Sequence, residues 1–181
     1  MKTTPEADEV LLKPAILLII VAISFGCATP SQPSVKSSPE AAVPAVNTAV
    51  DRWHQAAASS DEDAYFGLMA PGFVFLGTDA SERWTLPEFR AFAHPYFAQG
   101  KGWKFVPRSR HVFVSEDGAT AWFDEALDSA SYGDTRGTGV LRKLSGEWRI
   151  AHYNLTIPIP NALAKQVVRM IREQPAAPAQ P

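Results

Sequence analysis

The second half of the chain alternates apolar and polar residues, which predicts antiparallel β-strands. Between residues 103 and 159 several stretches carry alternating apolar and polar residues, and β-branched residues are frequent. Two turn signals, Asp117-Gly118 and Ser145-Gly146, divide this stretch into two hairpins. About four antiparallel strands are therefore expected here.

The first half has helical spacing instead. From residue 44 to residue 59 one face carries apolar residues at steps of four, three and four: Val46, Val50, Trp53 and Ala57. Ser60 is expected to cap a second helix, with acidic residues in its first turn and Pro71-Gly72 at its end. A short strand is expected to follow at residues 73–77, and then a loop.

Two further helices complete the pattern. Thr85 and Glu88 have capping-box spacing at the start of the third helix. The last helix, after residue 160, has one apolar face: Leu163, Val167, Met170 and Ile171. Helices that pack on one face of a curved antiparallel sheet define an α+β fold.

Composition and charge exclude several functions. The chain has 181 residues and a formal net charge of −2, so no basic surface for nucleic acid is expected. No metal is expected, since His54 and His94 lie on helices and His111 lies on the opposite strand face from Glu125. No nucleotide motif is present either, and no cofactor is predicted.

The N-terminus carries an apolar run from Ala15 to Phe25, followed by Gly26 and the single cysteine, Cys27. The run is shorter than a membrane span of about 20 residues and has the length of a signal-peptide core. With the Ser/Pro-rich stretch behind it, it resembles a bacterial lipoprotein signal, which implies a lipid on Cys27. The alternative is an uncleaved N-terminal anchor. Both predict export to the bacterial periplasm or cell envelope and a membrane tether.

Four segments follow from these patterns. Residues 1–27 are the predicted signal or anchor, and residues 28–42 are a predicted Ser/Pro/Ala-rich tether. Residues 43–173 form the predicted domain. Residues 174–181 are a predicted disordered tail.

The order of elements and three stretches, "AWFDEALDS", "RGTGVLRKLSGEWRIAHYNL" and "IPIPN", resemble the SnoaL-like branch of the nuclear transport factor 2-like superfamily. The resemblance covers residues 43 to 170. It implies a cone, in which a strongly bent antiparallel sheet wraps on about three N-terminal helices, plus a C-terminal helix. It also implies a pocket at the open end and a homodimer through the sheet. The family includes isomerases, dehydratases, hydrolases and binding domains, so enzymatic activity stays open.

The first hairpin supplies one candidate. Its turn pairs Val114 with Ala121 and Val112 with Phe123, and this apolar row is assigned to the concave face. Glu125 continues the row, beyond the predicted ligand contact Phe123. Desolvation would raise the pKa of such a carboxyl group and make it a general base. Alternatively, Glu125 lies at the rim, solvated or paired with an arginine.

The second hairpin supplies two more candidates. The register counted from its turn pairs Gly139 with His152 and Gly137 with Asn154. Both polar side chains are therefore expected on the concave face of the sheet. His152 is an acid–base candidate, or else a core histidine bonded to Tyr65 or to backbone. Asn154 donates to a ligand carbonyl, or else caps the strand. The register at residues 131–136, and with it the facing of Arg136, is not settled.

Arg83 and Trp84 precede the third helix, at the expected pocket mouth. A cation beside an indole suits an anionic or aromatic ligand, and the alternative is an ordinary surface pair. Tyr65 is predicted as a core aromatic that also contacts a ligand.

Three functions remain. The favoured one is binding of a small hydrophobic or amphiphilic molecule in the cone. The second is an isomerase, dehydratase or hydrolase that uses His152 and Glu125. The third is a structural homodimerisation or interaction domain whose sheet carries Trp122.

Overall fold

The computed structural model describes residues 38–174. The predicted signal, with Cys27, and most of the predicted tether and of the predicted tail lie outside these residues. The elements, in chain order, are α1 (Pro39–Ala58), α2 (Glu62–Gly67), β1 (Met69–Leu76), β2 (Arg83–Thr85), α3 (Leu86–Phe97), β3 (Val106–Val114), β4 (Thr120–Ser129), β5 (Gly133–Leu144), β6 (Glu147–Thr156) and α4 (Asn161–Glu173). Helix α1 therefore begins inside the segment 28–42 that was predicted as tether.

The strands form one six-stranded sheet in the order β2-β1-β6-β5-β4-β3. The sheet is curled and unclosed, with the N-terminal helices against it, which confirms the predicted α+β cone. One pair differs from the expected antiparallel pattern, because β1 and β6 run parallel. The short strand β2 occupies part of the segment predicted as a loop.

Helix starts follow local side-chain chemistry. The capping box of α3 is confirmed, since the Thr85 backbone N–H donates to Glu88 Oε2 at 2.8 Å. The predicted cap of α2 is wrong, because Asp61 accepts the Ala64 N–H at 3.0 Å. The Ser60 hydroxyl instead accepts the Gly102 N–H at 2.8 Å. The predicted end of α2 is wrong as well: the helix stops at Gly67, and Pro71-Gly72 lie within β1.

The first hairpin has the predicted register. Val114 pairs with Ala121 and Val112 with Phe123, as expected from the turn. The ladder continues to Arg110 opposite Glu125. The inner row of β4 is buried and its outer row is exposed, so the predicted facing of Glu125 is confirmed.

The second hairpin contains a β-bulge that the sequence analysis missed. Leu141 pairs with Ile150 as predicted, but the next pair is Val140 with His152, which leaves Ala151 as the extra residue. An extra residue shifts a strand's alternation by one position. The inward placement of His152 and Asn154 is therefore wrong.

Tyr153 and Leu155 are the buried residues of this stretch of β6, and they pair with Gly139 and Gly137. Their neighbours His152 and Asn154 are half-buried on the outer face. Arg136 pairs with Ala126 and is exposed, which settles its facing outward.

The core lies between α1, α2, α3 and the inner face of the sheet, and it is rich in aromatic residues. Trp53, on the predicted apolar face of α1, contacts Tyr65 and Tyr153 with ring centroids 5.0 Å and 4.7 Å away. Helix α4 has no buried residue, and most of its large apolar side chains are exposed. Among residues 38–174, no helix combines the length and hydropathy needed to span a membrane.

Candidate functional site

Glu125 is the centre of a buried polar network at the inner end of the cone. Its carboxylate accepts three hydrogen bonds. Oε1 accepts from the Tyr153 hydroxyl at 2.9 Å and from His54 Nε2 at 2.8 Å. Oε2 accepts from Arg110 Nε at 2.9 Å. A carboxylate can only accept, so His54 carries its proton on Nε2.

Arg110 connects this network to the surface. Its Nη1 donates to Asp51 Oδ1 at 2.8 Å and to Asn47 Oδ1 at 3.1 Å, both on α1. Its guanidinium also lies over the Phe123 ring, 5.9 Å from the centroid. The ion pairs therefore fasten β3 and β4 to α1. Among residues 38–174, no three His, Cys, Asp or Glu side chains are grouped to hold a metal ion.

The pKa values of Glu125 and Tyr153 are shifted in directions that disfavour proton transfer near neutral pH. Burial raises the pKa of the Glu125 carboxyl, but the His54 hydrogen bond and charge and the Arg110 guanidinium outweigh it and lower the pKa below 4.5. Burial and the Glu125 charge raise the pKa of the Tyr153 phenol well above 10. Glu125 is thus an ionised acceptor and Tyr153 a protonated donor, which makes Glu125 a poor general base.

The two glycines of β5 provide the space that this network occupies. A Cβ atom on Gly137 would collide with the Tyr153 hydroxyl and would lie 2.8 Å from Glu125 Oε1. A Cβ on Gly139 would lie 2.5 Å from the Phe123 ring. The room predicted above these glycines is real, but Tyr153, Glu125 and Phe123 fill it instead of His152 or a ligand.

An open cavity lies at the other end of the cone. Its volume is about 240 Å³, and aromatic rings form most of its wall. The residues that line it are Phe75, Gly77, Thr78, Glu82, Trp84, Phe89, Phe92, Tyr96, Trp103, Phe105, Tyr132 and Leu155. We call it the aromatic pocket.

The rings of the aromatic pocket are held by one another. Trp84 stacks on Phe92 with centroids 4.5 Å apart, and Phe75 stacks on Phe89 at 4.2 Å. Such offset contacts add stabilisation beyond the buried area. The pocket wall is therefore stabilised by contacts among its own rings.

A narrow gap of about 10 Å³ lies between the aromatic pocket and the polar network, and shares wall residues with the pocket. It has room for about one water molecule. Trp53, His54, Tyr65 and Tyr153 are among its lining residues. The Tyr65 hydroxyl and Trp53 Nε1 are buried without a hydrogen-bond partner among the described residues.

The Tyr65 phenol is kept neutral by its surroundings. Burial raises its pKa far above the usual value of 10 and outweighs the opposing effect of the Trp103 indole. The indole still makes no hydrogen bond of normal geometry with the hydroxyl. A water or ligand oxygen in the gap would satisfy this donor.

The charged residue at the pocket mouth is Glu82, and the predicted role of Arg83 there is wrong. Strand β2 alternates, with Arg83 and Thr85 exposed and Trp84 half-buried toward the pocket. Arg83 therefore points away from the face that Trp84 presents. Glu82, one position earlier, lines the pocket.

The structure brings together some of the predicted site residues and separates others. Trp84 lines the aromatic pocket and Tyr65 the gap behind it. Phe123 is buried beneath Arg110 and lines neither space. His152 and Asn154 lie across the sheet from Glu125, so His152 and Glu125 do not form a pair.

Three residues of the polar network escaped sequence analysis. His54 lies four residues after Val50, at the edge of the apolar stripe of α1, and that spacing was a usable signal. Arg110 follows from extending the correct first hairpin by one pair. Tyr153 had no such signal, because only the bulge turns it inward.

Comparison with known proteins agrees with this architecture. Fold comparison finds an NTF2-like protein of unknown function from Pseudomonas putida KT2440, with a TM-score of 0.57, 16% identity, and coverage of 69% of this chain and 92% of that one. It also finds a candidate dehydratase of the NTF2-like family from Streptomyces avermitilis (0.59, 16%, 68% and 100%). A third is a candidate aromatic ring hydroxylase from Novosphingobium aromaticivorans (0.55, 18%, 68% and 94%). At these identities the likeness establishes the fold alone, which is NTF2-like.

A match to a family model assigns the chain more narrowly than the NTF2-like fold does. The SnoaL-like domain matches residues 46–160, which is more than half of the chain. The chain therefore belongs to the SnoaL-like domain family, as its hairpin sequence suggested. No curated protein matches it.

Proposed function

We propose that this domain binds a small, largely apolar molecule in the aromatic pocket, without chemistry at Glu125. The supporting observation is the open cavity of about 240 Å³ with a wall of stacked rings. Ligand sites are concave and mostly apolar, with a few placed polar groups. The aromatic pocket has this character, and its polar lining residues include Glu82, Thr78, Tyr96 and Tyr132.

The catalytic alternative has less support. Its two predicted residues, His152 and Glu125, lie on opposite faces of the sheet. The Glu125 carboxylate accepts hydrogen bonds on both oxygens, and its lowered pKa removes the advantage of a general base. The dehydratase and hydroxylase descriptions belong to proteins below 20% identity and are not carried over.

Binding is tested with a neutral fluorescent probe and a matched pair of variants. Phe92 lines the pocket, is 39% exposed and stacks on Trp84 at 4.5 Å. Phe113 is its counterpart on the outer face of the sheet, 49% exposed and stacked on Trp122 at 5.8 Å. Both should tolerate Ser, because neither is buried.

We expect N-phenyl-1-naphthylamine to bind the purified protein saturably. Phe92→Ser should weaken binding by about tenfold, since a ring that becomes covered by the ligand contributes about 1–2 kcal/mol to the binding free energy. Phe113→Ser should leave the affinity unchanged. An equal effect of both substitutions, or no saturable binding, would contradict the proposal.

A homodimer through the sheet is a second proposal, compatible with the first. Phe113 and Trp122 form an exposed apolar pair on the outer face. An exposed aromatic pair on a sheet is a common element of protein interfaces. Trp122→Arg should convert a dimer to a monomer in sedimentation while leaving probe binding intact, and an unchanged dimer would exclude this face.

We also propose that the protein is exported and tethered to the membrane at Cys27 or by the preceding apolar run. The support is the sequence pattern of residues 15–27. Metabolic labelling with a palmitate analogue should mark the protein, and Cys27→Ser should abolish the label. Membrane association without label in the wild-type protein would favour the uncleaved anchor.

A further inference from the structure

We propose that the ligand of the aromatic pocket is a small organic cation, a methylated or quaternary ammonium compound. This inference rests on the proposed binding function and adds the chemical class of the ligand. It depends on three features of the pocket: the aromatic rings of its wall, the position of one carboxylate and, within residues 38–174, the lack of a competing cation.

The first feature is the ring content of the wall. Eight aromatic side chains line it, three of them on α3 and the others on the strands and connecting segments: Phe75, Trp84, Phe89, Phe92, Tyr96, Trp103, Phe105 and Tyr132. Ring faces carry negative potential and attract cations within about 6 Å. Quaternary ammonium groups are recognised by cages of this type because their methyl groups are apolar and their charge is weakly hydrated.

The second feature is the carboxylate of Glu82. It is held by the tight turn between β1 and β2, in which the Gly77 N–H donates to the Glu82 carbonyl at 2.9 Å and the Glu82 N–H donates to the Asp79 carbonyl at 3.0 Å. Glu82 Oε2 accepts the Asp79 N–H at 3.1 Å. A Cβ on Gly77 would collide with the carboxylate, so this glycine allows Glu82 to fold back over the turn.

This arrangement leaves one carboxylate oxygen unused. Among the described residues, Glu82 Oε1 has neither a hydrogen-bond nor an ion-pair partner. Glu82 is half-buried, and the rest of the pocket wall is mostly apolar. A positive group in the pocket would therefore gain a partly desolvated counter-ion, which is stronger than a fully exposed one.

The third feature is the charge balance of the wall. Within residues 38–174, no lysine, arginine or histidine lines the aromatic pocket, and Glu82 is its only carboxylate. The nearby cation of β2, Arg83, points away. An anionic ligand would meet the Glu82 charge without compensation, so the charge of the pocket selects against anions and in favour of cations.

The test compares two ligands of nearly equal shape. Choline carries a trimethylammonium group, and 3,3-dimethylbutan-1-ol has a neutral tert-butyl group in its place. Isothermal titration of the purified protein should show that choline binds at least about tenfold more tightly, which corresponds to one desolvated cation–aromatic contact. The neutral analogue should still bind weakly.

Three variants test whether the Glu82 carboxylate and the Trp84 ring cause the preference for choline over its neutral analogue. Glu82→Gln keeps the amide oxygen that can accept the Asp79 N–H, and it should reduce the preference for choline to about threefold or less. Glu116→Gln, in the exposed β3–β4 turn, is the matched control and should keep the full preference. Trp84→Leu removes a ring and keeps the carboxylate, so it should weaken choline more than the neutral analogue.

Each result decides between the two proposals. Equal affinity for choline and its neutral analogue would overturn the cation assignment while apolar binding stands. Binding of N-phenyl-1-naphthylamine without any choline binding would do the same. A preference that survives Glu82→Gln would overturn the role of Glu82 as the counter-ion. If neither the naphthylamine nor choline binds, the proposed binding function itself fails.

Discussion

Glu125 and Glu82 occupy the two ends of the cone, and their environments are opposite. Glu125 is 1% exposed and accepts three hydrogen bonds, one from an arginine that is itself fastened to α1. Glu82 is half-buried, accepts one hydrogen bond and faces a cavity. A buried carboxylate is therefore not a sign of chemistry by itself. What matters is whether its lone pairs are already used.

The largest expected effect comes from Glu125→Gln. Breaking a buried ion pair from one side leaves Arg110 without its buried counter-ion, so unfolding free energy should fall by about 3 kcal/mol. Urea unfolding at neutral pH measures it. Glu116→Gln serves as the exposed control and should stay within about 0.5 kcal/mol. A loss below about 1 kcal/mol for Glu125→Gln would mean that the network contributes little to folding.

Gly137→Ala should cause the second-largest loss of unfolding free energy. The added methyl group would collide with the Tyr153 hydroxyl and crowd Glu125 Oε1, so overpacking should cost about 1–3 kcal/mol. Gly67→Ala is the matched control, because a Cβ there meets no atom within 4 Å. Equal unfolding midpoints for the two variants would show that Tyr153 has room to move without loss.

A smaller, pH-dependent effect should appear in acid. The folded state lowers the pKa of Glu125, so the resulting stability is present above about 4.5 and is lost as the pH falls through the folded value. The difference in unfolding free energy between the wild type and Glu125→Gln should therefore shrink from about pH 6 to about pH 3. Other carboxyl groups are common to both proteins and cancel. A difference that is constant over this range would show that the carboxyl pKa is not lowered.

The smallest effect on stability should come from Glu82→Gln, at the aromatic pocket. Glu82→Gln removes a charge with no ion-pair partner among the described residues, and an amide oxygen can still accept the Asp79 N–H. Unfolding free energy should change by less than about 0.5 kcal/mol, while the preference for a cationic ligand falls. A loss as large as that of Glu125→Gln would mean that Glu82 stabilises the fold and is not free for a ligand.

Much of the fold was predictable because local chemistry agreed with it. The capping box at Thr85 and Glu88, the stripe on α1 and the turn at Asp117-Gly118 each specify geometry within a few residues. The family resemblance then predicted that the sheet bends into a cone around the N-terminal helices. Glu125 was placed on the inner face for the same reason, since the first hairpin is regular from its turn onward.

The candidate site was only partly predictable. The bulge at Ala151 has no glycine or proline to mark it, and it moved His152 and Asn154 to the outer face. The sequence predicts a loop at Arg83, where alternation does not apply, whereas the structure has strand β2 there and turns Arg83 away from Trp84. The spacing of His54 after Val50 indicates that it is buried, but its pairing with Glu125 depends on how α1 packs across the sheet.

The bulge in β6 has a consequence for folding fidelity. An uninterrupted ladder would turn His152 and Asn154 inward, and both are small enough to lie above Gly139 and Gly137. That competing arrangement would withdraw the Tyr153 hydroxyl from Glu125 and leave a buried carboxylate with fewer donors, at a cost of about 1–3 kcal/mol. The hydrogen bond from Tyr153 to Glu125 therefore favours the bulged register of β6 over the uninterrupted one, which backbone hydrogen bonding alone would hardly distinguish.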